Sequence, residues 1–471
     1  MASVVFVQNI WQEYLGVMNL SAVLKKHGHK VELLIGNEGS IYKQTKKLNP
    51  DLVGFSTMTF QHKWVSDTAR FLREKGIKIP IVTGGPHATF FPDFISDPNI
   101  DILCRGEGEY ALLDLVNALE HKEDISKIPN LLVKKNGKIY DNPVRPPVAN
   151  LDELPYPDRE LYRKYKFFRN KDLAPFMAIR GCPYRCSFCF NHKWNKLYAP
   201  HHTIRFRSVK SFIDEISQTE KKHKLNTAMI IDSTFNLDKE WILDFLKEYK
   251  DKIDVKFSIN VRLNGIDDDI VKAIAETKKC AHVRFAIEVG SERLRNEVLK
   301  KGLQDKQIDD AIKLFRKYKV DIITFNMCAL PTETIEEAYK TITVNQRINP
   351  TVVSCLIFMP LPGLDITNYC IQQGIVAEGD LKKLGVSPYN MHRSILKQEN
   401  IGRLTNLHKF SVIAIRHPYL FPLIKQLIKL PPNMVYDSIY NISQSFEWMK
   451  WLRVGIIRYT KEAFRNYKKV S

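Results

Sequence analysis

Two series of short β-rich runs, each alternating with amphipathic helical patterns, constrain the fold of this chain more than any other feature. The first series lies between residues 3 and 119. Its five strand candidates are residues 4–7, 31–35, 52–56, 79–83 and 102–104. Strands that alternate with helices form parallel sheets that are covered by helices. The first series therefore predicts a doubly wound α/β domain of five strands.

The second series begins at Phe176 and predicts a different arrangement. Its six strand candidates are residues 176–179, 228–232, 256–260, 282–288, 322–328 and 352–358. Apolar residues recur at helical spacing between these runs, as at Ile308, Ile312 and Phe315, and Thr334 with Glu337 forms a candidate capping box. Six βα units predict a partial (βα)6 barrel of the TIM type, in which the carboxyl ends of the strands face a common cavity.

Interruptions of the alternation of strands and helices indicate the domain boundaries. The chain has 471 residues, which exceeds the size of one compact core. Residues 120–170 contain a KKNGK turn and then the stretch VRPPVANLDELPYPDREL with four prolines, a pattern that predicts a small hairpin followed by a linker. After residue 391 the alternation stops. We therefore predict a domain at 1–140, a linker at 141–170, a barrel at 171–390 and a helical, basic region at 391–471.

The amino-acid composition narrows the class of protein but does not identify a binding partner. A hydrophobic content of 44% with 26% charged residues is typical of a folded protein and excludes wholesale disorder. The net charge of +19 favours phosphates, acidic substrates or anionic lipid. The sequence begins MASVVFVQNI, without a basic leader, and the apolar run 411–428 is interrupted by charged side chains. We therefore expect a cytoplasmic protein without a membrane-spanning helix.

The most specific motif is the run RGCPYRCSFC, which places Cys182, Cys186 and Cys189 directly after the first strand of the second series. Thiolates are soft ligands for iron-sulfur clusters or zinc. A C-x3-C-x2-C loop can hold three corners of a [4Fe-4S] cube and leave one iron open for a substrate or cofactor. The alternative is a structural zinc site with His192 as the fourth ligand. The other five cysteines are expected to be buried, although Cys328 and Cys355 could face the barrel cavity.

Cys182, Cys186, Phe188 and Cys189 match the C-x3-C-x-aromatic-C motif, so residues 174–363 resemble the radical S-adenosylmethionine enzymes. The resemblance implies that the open iron chelates S-adenosylmethionine and that one electron cleaves it to a 5′-deoxyadenosyl radical. It also implies cofactor contacts at later strand ends, from Phe188, Asp232, Ser233, Asn260, Arg262 and Glu288. The sequence departs from the family's glycines at Ala286, Ala329 and Thr332, positions where glycine permits close backbone contacts.

The first domain resembles, among flavodoxin-like and Rossmann-like folds, the cobalamin-binding domain that precedes some radical S-adenosylmethionine modules. The residues that carry this resemblance follow strands three, four and five: Ser56, Thr57, Thr59, Gly84, Gly85, Gly106 and Glu107. The usual Asp-x-His-x-x-Gly motif is absent, which implies cobalamin without a protein histidine on cobalt. His87 is the exception to test, against its interpretation as a turn residue with a backbone hydrogen bond. A flavodoxin-like module with another ligand, or none, is the alternative.

Together the two resemblances imply methylation of an unactivated carbon or phosphorus, with S-adenosylmethionine, a [4Fe-4S] cluster and cobalamin as cofactors. Oxidative cyclisation or rearrangement without methyl transfer is the alternative within enzymes. An RNA-modification enzyme and a non-catalytic binding protein are alternatives of other classes. We expect a small-molecule or lipid-linked substrate and a reductant such as flavodoxin or ferredoxin. The basic region 391–471 either caps the barrel or contacts anionic lipid, and it lacks a β-rich RNA-binding module.

Overall fold

The chain divides into two units in the computed structural model, which describes residues 1–381 and 392–452. The N-terminal unit consists of Met1–Pro175 together with Lys193–Ser211. The barrel unit consists of Phe176–His192 and the described residues from Phe212 onward. Residues 382–390 of the predicted barrel and residues 391 and 453–471 of the predicted basic region lie outside the described residues. The predicted domain boundaries remain a proposal.

The N-terminal unit contains a seven-stranded sheet. Its strands are β1 (Ser3–Gln8), β2 (Lys30–Ile35), β3 (Leu52–Ser56), β4 (Ile81–Gly84), β5 (Ile102–Cys104), β6 (Leu131–Lys135) and β7 (Lys138–Asp141), in the order β2-β1-β3-β4-β5-β6-β7. The first five strands are parallel, as the sequence predicts, and β6 and β7 form the predicted hairpin. The helices are α1 (Leu15–Lys26), α2 (Glu38–Leu48), α3 (His62–Glu74), α4 (Gly85–Phe90), α5 (Glu109–His121), α6 (Glu160–Arg163) and α7 (Lys166–Arg169).

The hairpin extends the predicted five-stranded sheet to seven strands. Strand β6 pairs antiparallel with β5, and its first three residues, Leu131, Leu132 and Val133, are buried. These apolar side chains gain burial only when the strand lies against the sheet. All four residues of β7 are exposed, and Lys138 and Asp141 place charges on this edge strand.

A six-stranded sheet forms the barrel. Its strands are β8 (Leu173–Phe176), β11 (Thr227–Ile230), β12 (Lys256–Asn260), β13 (Cys280–Glu288), β14 (Ile322–Cys328) and β15 (Val352–Ile357), in the order β15-β14-β13-β12-β11-β8, and the short strands β9 (Ile179–Arg180) and β10 (Arg205–Phe206) lie outside it. Helix α8 (Asn191–Leu197) falls mostly within Lys193–Ser211 of the N-terminal unit. The helices of the barrel are α9 (Val209–Lys222), α10 (Lys239–Lys252), α11 (Asp268–Glu276), α12 (Asp305–Lys317), α13 (Ile335–Ile348), α14 (Asp365–Gln372) and α15 (Glu378–Leu381). The predicted apolar stripe of α12 is buried, and the predicted capping box of α13 is confirmed.

The predicted first barrel strand, residues 176–179, is wrong in its position. Strand β8 ends at Phe176, and extended structure resumes only at Ile179. The physical reason is the carboxylate of Asp232, whose Oδ1 accepts hydrogen bonds from the backbone N–H groups of Ala178, at 3.0 Å, and Ile179. Two N–H groups that bond a side chain are not available to a strand ladder.

The described part of the C-terminal region is helical, as predicted. It contains α16 (Ile401–Arg416), α17 (Phe421–Leu427) and α18 (Met434–Leu452). Leu404, Leu407 and Phe410 of α16 pack with β15 and α13 in one apolar core. None of the helices within residues 1–381 and 392–452 has the length and apolar character that a bilayer span requires.

One buried ion pair attaches α18 to the edge strand β15. The carboxylate of Glu447 accepts hydrogen bonds from the backbone N–H of Val353, at 2.8 Å, and from the guanidinium of Arg416, at 2.5 and 2.9 Å. Arg416 also donates to the carbonyls of Pro350 and Thr351 at the start of β15. Strand β15 lies at the edge of the six-stranded sheet. The buried carboxylate of Glu447 therefore takes the place of a neighbouring strand as a hydrogen-bond partner of its backbone.

We predict that Glu447→Gln destabilises the protein by about 3 kcal/mol, because it leaves the charge of Arg416 without its partner in a buried position. Urea denaturation measures the change. Asp310→Asn is the matched control, since it neutralises an exposed ion pair with Lys306 and should not shift the unfolding midpoint. Equal midpoints for Glu447→Gln and the wild type would contradict the role given to this pair.

Candidate functional site

The three motif cysteines lie on one loop that follows β9. Cys182 and Cys186 are buried and Cys189 is half-buried. Ser187 anchors the loop, because its N–H donates to the Leu299 carbonyl at 3.0 Å and its hydroxyl donates to the Val298 carbonyl at 2.6 Å. The loop therefore presents its thiols from a fixed backbone rather than from a free turn.

The thiols lie close enough to influence one another. Burial raises the pKa of Cys189 to about 11, and the neighbouring thiols of Cys186 and Cys182 contribute to the increase. Three thiolates that are crowded and desolvated need a cationic centre to remain deprotonated. One positive side chain already touches them, since Nη1 of Arg262 lies 3.7 Å from Sγ of Cys186.

Three cysteine thiols are donors of the kind that binds iron-sulfur clusters. Within the described residues, no group of three or more His, Cys, Asp and Glu side chains is placed to hold one ion. His192, the fourth ligand of the zinc alternative, faces the carboxylate of Asp365, with Nε2 and Oδ2 3.1 Å apart.

Four residues that were predicted to contact S-adenosylmethionine follow β11 or end β12, on the side of the cysteine loop. Asp232 is fully buried and holds the backbone before the loop. Asn260 donates to the Asp232 carbonyl at 2.8 Å, and the exposed Ser233 accepts from Asn191 at 3.3 Å. Arg262 contacts Cys186. Asp232 and Asn260 thus make contacts that shape the loop, and their predicted roles as cofactor ligands remain predictions.

Arg262 is the predicted residue with the most informative contacts. Its guanidinium lies 3.6 Å from the centroid of the Tyr184 ring, a cation–π distance, and its Nε donates to Oδ1 of Asn264 at 3.1 Å. The side chain of Asn236 accepts from the Arg262 N–H at 2.8 Å and donates to its carbonyl at 2.9 Å. Sequence reasoning missed Tyr184 and Asn236, although Tyr184 stands inside the cysteine motif.

The other two residues that were predicted to contact S-adenosylmethionine are Glu288, which lies in an ion pair, and Phe188, which lies against an apolar cluster. The Glu288 carboxylate accepts a hydrogen bond from Nζ of Lys301 at 2.7 Å, and both side chains are buried. Its backbone is left-handed, with φ of 70°. Phe188 packs against an apolar cluster that includes Leu299 and Phe358. Lys301, which no sequence motif marks, therefore holds the carboxylate that was predicted to accept from the ribose hydroxyls.

The loop after β14 explains two departures from the family's sequence. Ala329 and Thr332, which stand where relatives have glycine, both have left-handed backbones, with φ of 60° and 62°. Next to them burial raises the pKa of Glu333 to about 8, although its carboxylate accepts from the Leu330 N–H. The backbone of the loop thus has the left-handed conformation that glycine favours, and the side chains of Ala329 and Thr332 strain it at these two positions.

The candidate cobalamin residues after β3 and β4 form one tight turn. Thr57 N–H donates to the Gly84 carbonyl at 2.9 Å, and the hydroxyls of Thr57 and Thr83 lie 2.7 Å apart. Gly85 has φ of 88°, and a Cβ there would lie 2.9 Å from the Thr57 nitrogen. The structure therefore brings Ser56 and Thr57 against Gly84 and Gly85, as a cradle with close backbone approach requires. Thr59 begins the next short helical turn.

His87 lies in the first turn of α4, and its backbone N–H donates to the Thr57 carbonyl at 2.9 Å, as its turn interpretation predicts. The imidazole stacks on His62, at 4.8 Å between ring centroids, and also contacts Phe91 and Phe94. Burial, followed by the charge of His62, lowers the pKa of His87 to about 4. The ring is therefore neutral at physiological pH.

Gly106 and Glu107 follow β5. Gly106 has φ of 75° and donates its N–H to the Thr89 hydroxyl of α4 at 3.0 Å. The Glu107 carboxylate is buried and accepts two hydrogen bonds from Arg205, at 2.6 and 3.0 Å. Sequence reasoning placed Glu107 at a cofactor and gave no signal for Arg205, because the partner lies 98 residues away.

Cys328 and Cys355 do not face the barrel cavity. Both belong to the core cluster that contains Leu404 and Leu407 of α16, and Asn326, two residues from Cys328, bonds Asn345 of α13. Because side chains alternate along a strand, Cys328 points to the same helix-covered face as Asn326. The interpretation as buried packing is confirmed, and the cavity-facing alternative is wrong.

Two family models match the chain. The model described as the B12 binding domain matches residues 10–116, and the model described as the radical SAM superfamily matches residues 177–344. An uncharacterized methyltransferase of Pyrococcus horikoshii is 29% identical over 83% of this chain and 85% of its own length. An anaerobic magnesium-protoporphyrin IX monomethyl ester cyclase of Rubrivivax gelatinosus is 27% identical over 70% of this chain and 60% of its own length.

A solved structure has the same architecture. The cobalamin-dependent S-adenosylmethionine radical enzyme OxsB, with aqua-cobalamin and S-adenosylmethionine bound, superposes with a TM-score of 0.70. The match covers 96% of this chain and 72% of that chain at 18% identity. At this identity the likeness concerns the fold.

We predict that Thr332→Gly stabilises the protein by about 1 kcal/mol, because it relieves a left-handed β-branched residue. It also removes a buried hydroxyl without a hydrogen-bond partner. Ala338→Gly in α13 is the control and should destabilise by about 1 kcal/mol, since its backbone is helical. Chemical denaturation compares the two. If Thr332→Gly destabilises as much as the control, the loop is not strained.

Proposed function

Because the chain belongs to the radical S-adenosylmethionine enzymes that carry an N-terminal cobalamin-binding domain, we propose that it is a methyltransferase. It cleaves S-adenosylmethionine reductively at a [4Fe-4S] cluster and methylates an unactivated carbon or phosphorus of a small molecule. Its cofactors are the cluster, S-adenosylmethionine and cobalamin.

The cysteine loop carries this proposal. Three thiols on one anchored loop, with a guanidinium against Cys186, supply ligands for three irons of a cubane and leave the fourth open. Arg262 adds positive charge beside the sulfur, and Ser187 fixes the loop. The chain's own residues thus hold the cluster and support its electrostatics, while the cluster and S-adenosylmethionine supply the radical chemistry.

The turn of Ser56, Thr57, Gly84 and Gly85 supports cobalamin binding, because it lies at the carboxyl ends of β3 and β4, where doubly wound domains bind ligands. When bound, cobalamin would supply the methyl donor. The ring of His87 is packed among His62, Phe91 and Phe94, which favours cobalamin held without a protein histidine on cobalt.

Methylation is favoured over cyclisation by the methyltransferase relative, which aligns with 85% of its own length, against 60% for the cyclase. A reductant such as flavodoxin or ferredoxin is part of the proposal, since the cluster requires one electron for each cleavage. The cytoplasmic location, a lipid-linked substrate and peripheral lipid contact by the C-terminal region remain predictions.

We expect that the anaerobically reconstituted protein forms 5′-deoxyadenosine from S-adenosylmethionine and that Cys186→Ala forms none and contains less iron. Cys280→Ala is the matched control, because this cysteine lies in β13, outside the motif, and should retain both properties. Mass spectrometry of a cellular extract then searches for a product heavier by one methylene. A dehydrogenated product without added methylene would favour cyclisation, and 5′-deoxyadenosine from Cys186→Ala would contradict the proposal.

We predict that Arg262→Met makes the reduction potential of the cluster more negative, because the variant removes a positive charge and a hydrogen bond from Cys186. Titration followed by electron paramagnetic resonance measures the shift. Arg293→Met is the control, since it removes the same charge from a half-exposed pair with Glu337. An unchanged potential in Arg262→Met would show that the guanidinium does not act on the cluster.

A further inference from the structure

The chain rejoins the N-terminal unit soon after the last motif cysteine. Residues Lys193–Ser211, which we name the return segment, group with Met1–Pro175 rather than with the barrel unit. The return segment contacts the loop that follows β5, where Gly106 and Glu107 lie. These are two of the residues that the family resemblance places at cobalamin, so the contacts bear on the cofactor site.

The first contact is a buried ion pair with two parallel hydrogen bonds. Nη2 of Arg205 donates to Oε1 of Glu107 at 2.6 Å, and Nη1 donates to Oε2 at 3.0 Å. Each side chain is 7% exposed. Val148 adds two bonds, because its N–H donates to Glu107 at 2.8 Å and its carbonyl accepts from Arg205 at 2.6 Å. A bidentate ion pair with these additional hydrogen bonds compensates for the free-energy cost of removing both charges from water.

The second contact is the hydroxyl of Tyr198, which accepts the Glu107 N–H at 2.6 Å. The same hydroxyl occupies the position that a Cβ on Gly106 would take. Thr89 of α4 accepts the Gly106 N–H from the other side, at 3.0 Å. Gly106 is therefore held between α4 and the return segment, in a left-handed conformation that leaves no room for a side chain.

Aromatic side chains extend this contact along α4. The rings of Trp194 and Tyr198 have centroids 5.0 Å apart, and Trp194 lies 6.5 Å from Phe90 at the end of α4. Helix α4 begins at Gly85, in the tight turn with Thr57. The return segment thus contacts both α4, which follows the Gly84–Gly85 turn, and the Gly106 turn.

We propose that the return segment is a structural part of the cobalamin site. Arg205 and Tyr198 hold the Gly106 turn and α4 in the conformation that binds the cofactor. Glu107 is a positioning residue whose carboxylate bonds Arg205 and Val148, and it does not touch cobalamin. This inference rests on the proposed binding of cobalamin by the N-terminal unit.

Titration of the full-length protein with aquacobalamin, followed by visible absorbance, tests the inference. Tyr198→Phe removes only the hydroxyl that accepts the Glu107 N–H, and Arg205→Lys keeps the charge but loses the bidentate pair. We expect each variant to raise the Kd for aquacobalamin about tenfold, the effect of one or two lost hydrogen bonds. Iron content and the spectrum of the bound cofactor at saturation should match the wild type.

The matched control is Arg73→Lys. Arg73 bonds Asp101 at 2.5 Å in the same unit, but at the amino end of β4, where Asp101 also accepts the Ile81 N–H. This variant should leave the Kd unchanged. A similar rise in the Kd of Arg73→Lys would overturn the inference, because the effect would then be one of general stability.

The outcomes separate this inference from the proposed function. Failure of the wild-type protein to bind aquacobalamin overturns both. Wild-type binding with an unchanged Kd in Tyr198→Phe and Arg205→Lys overturns only the inference. If Arg205→Lys does not fold, as circular dichroism would show, Tyr198→Phe alone decides. A changed spectrum of the bound cofactor in Glu107→Gln, at an unchanged unfolding midpoint, would place Glu107 against cobalamin and contradict its positioning role.

Discussion

The site depends on the point at which the first barrel strand stops. The buried carboxylate of Asp232 takes the N–H groups of Ala178 and Ile179, and the strand ladder ends at Phe176. The chain then turns into the loop that presents the three thiols. The two backbone N–H groups hold this buried carboxylate in position. One side chain just beyond the end of the neighbouring strand β11 thus sets the geometry in which the cysteines can bind iron.

Much of the fold follows from the sequence because its signals are local and repetitive. The limits of β3, β5, β12 and β14 match their predicted runs, since each run is apolar, β-rich and bounded by clear turns. The first barrel strand was misplaced because its end is fixed by Asp232, more than fifty residues away. The attachment of the hairpin to the sheet likewise depends on tertiary burial of β6.

The candidate site likewise combines a feature that the sequence predicts with contacts that it does not predict. The cysteine motif is local and specific, so its loop could be predicted. The ion pairs of Glu107 with Arg205 and of Glu288 with Lys301 join residues that no motif connects, and sequence reasoning assigned both carboxylates to cofactors. The net charge could not identify a binding partner either, because several of the positively charged side chains are buried inside the fold. Buried ion pairs contribute little net stability, but they fix the conformation of the groups that they join.

The central claim is that the three thiols hold a cubane whose open iron binds S-adenosylmethionine. Electron paramagnetic resonance of the anaerobically reduced protein tests it most directly. The account predicts the signal of a reduced [4Fe-4S] cluster, and it predicts that added S-adenosylmethionine changes this signal. Bound zinc in place of iron, or a cluster signal that S-adenosylmethionine leaves unchanged, would contradict the account.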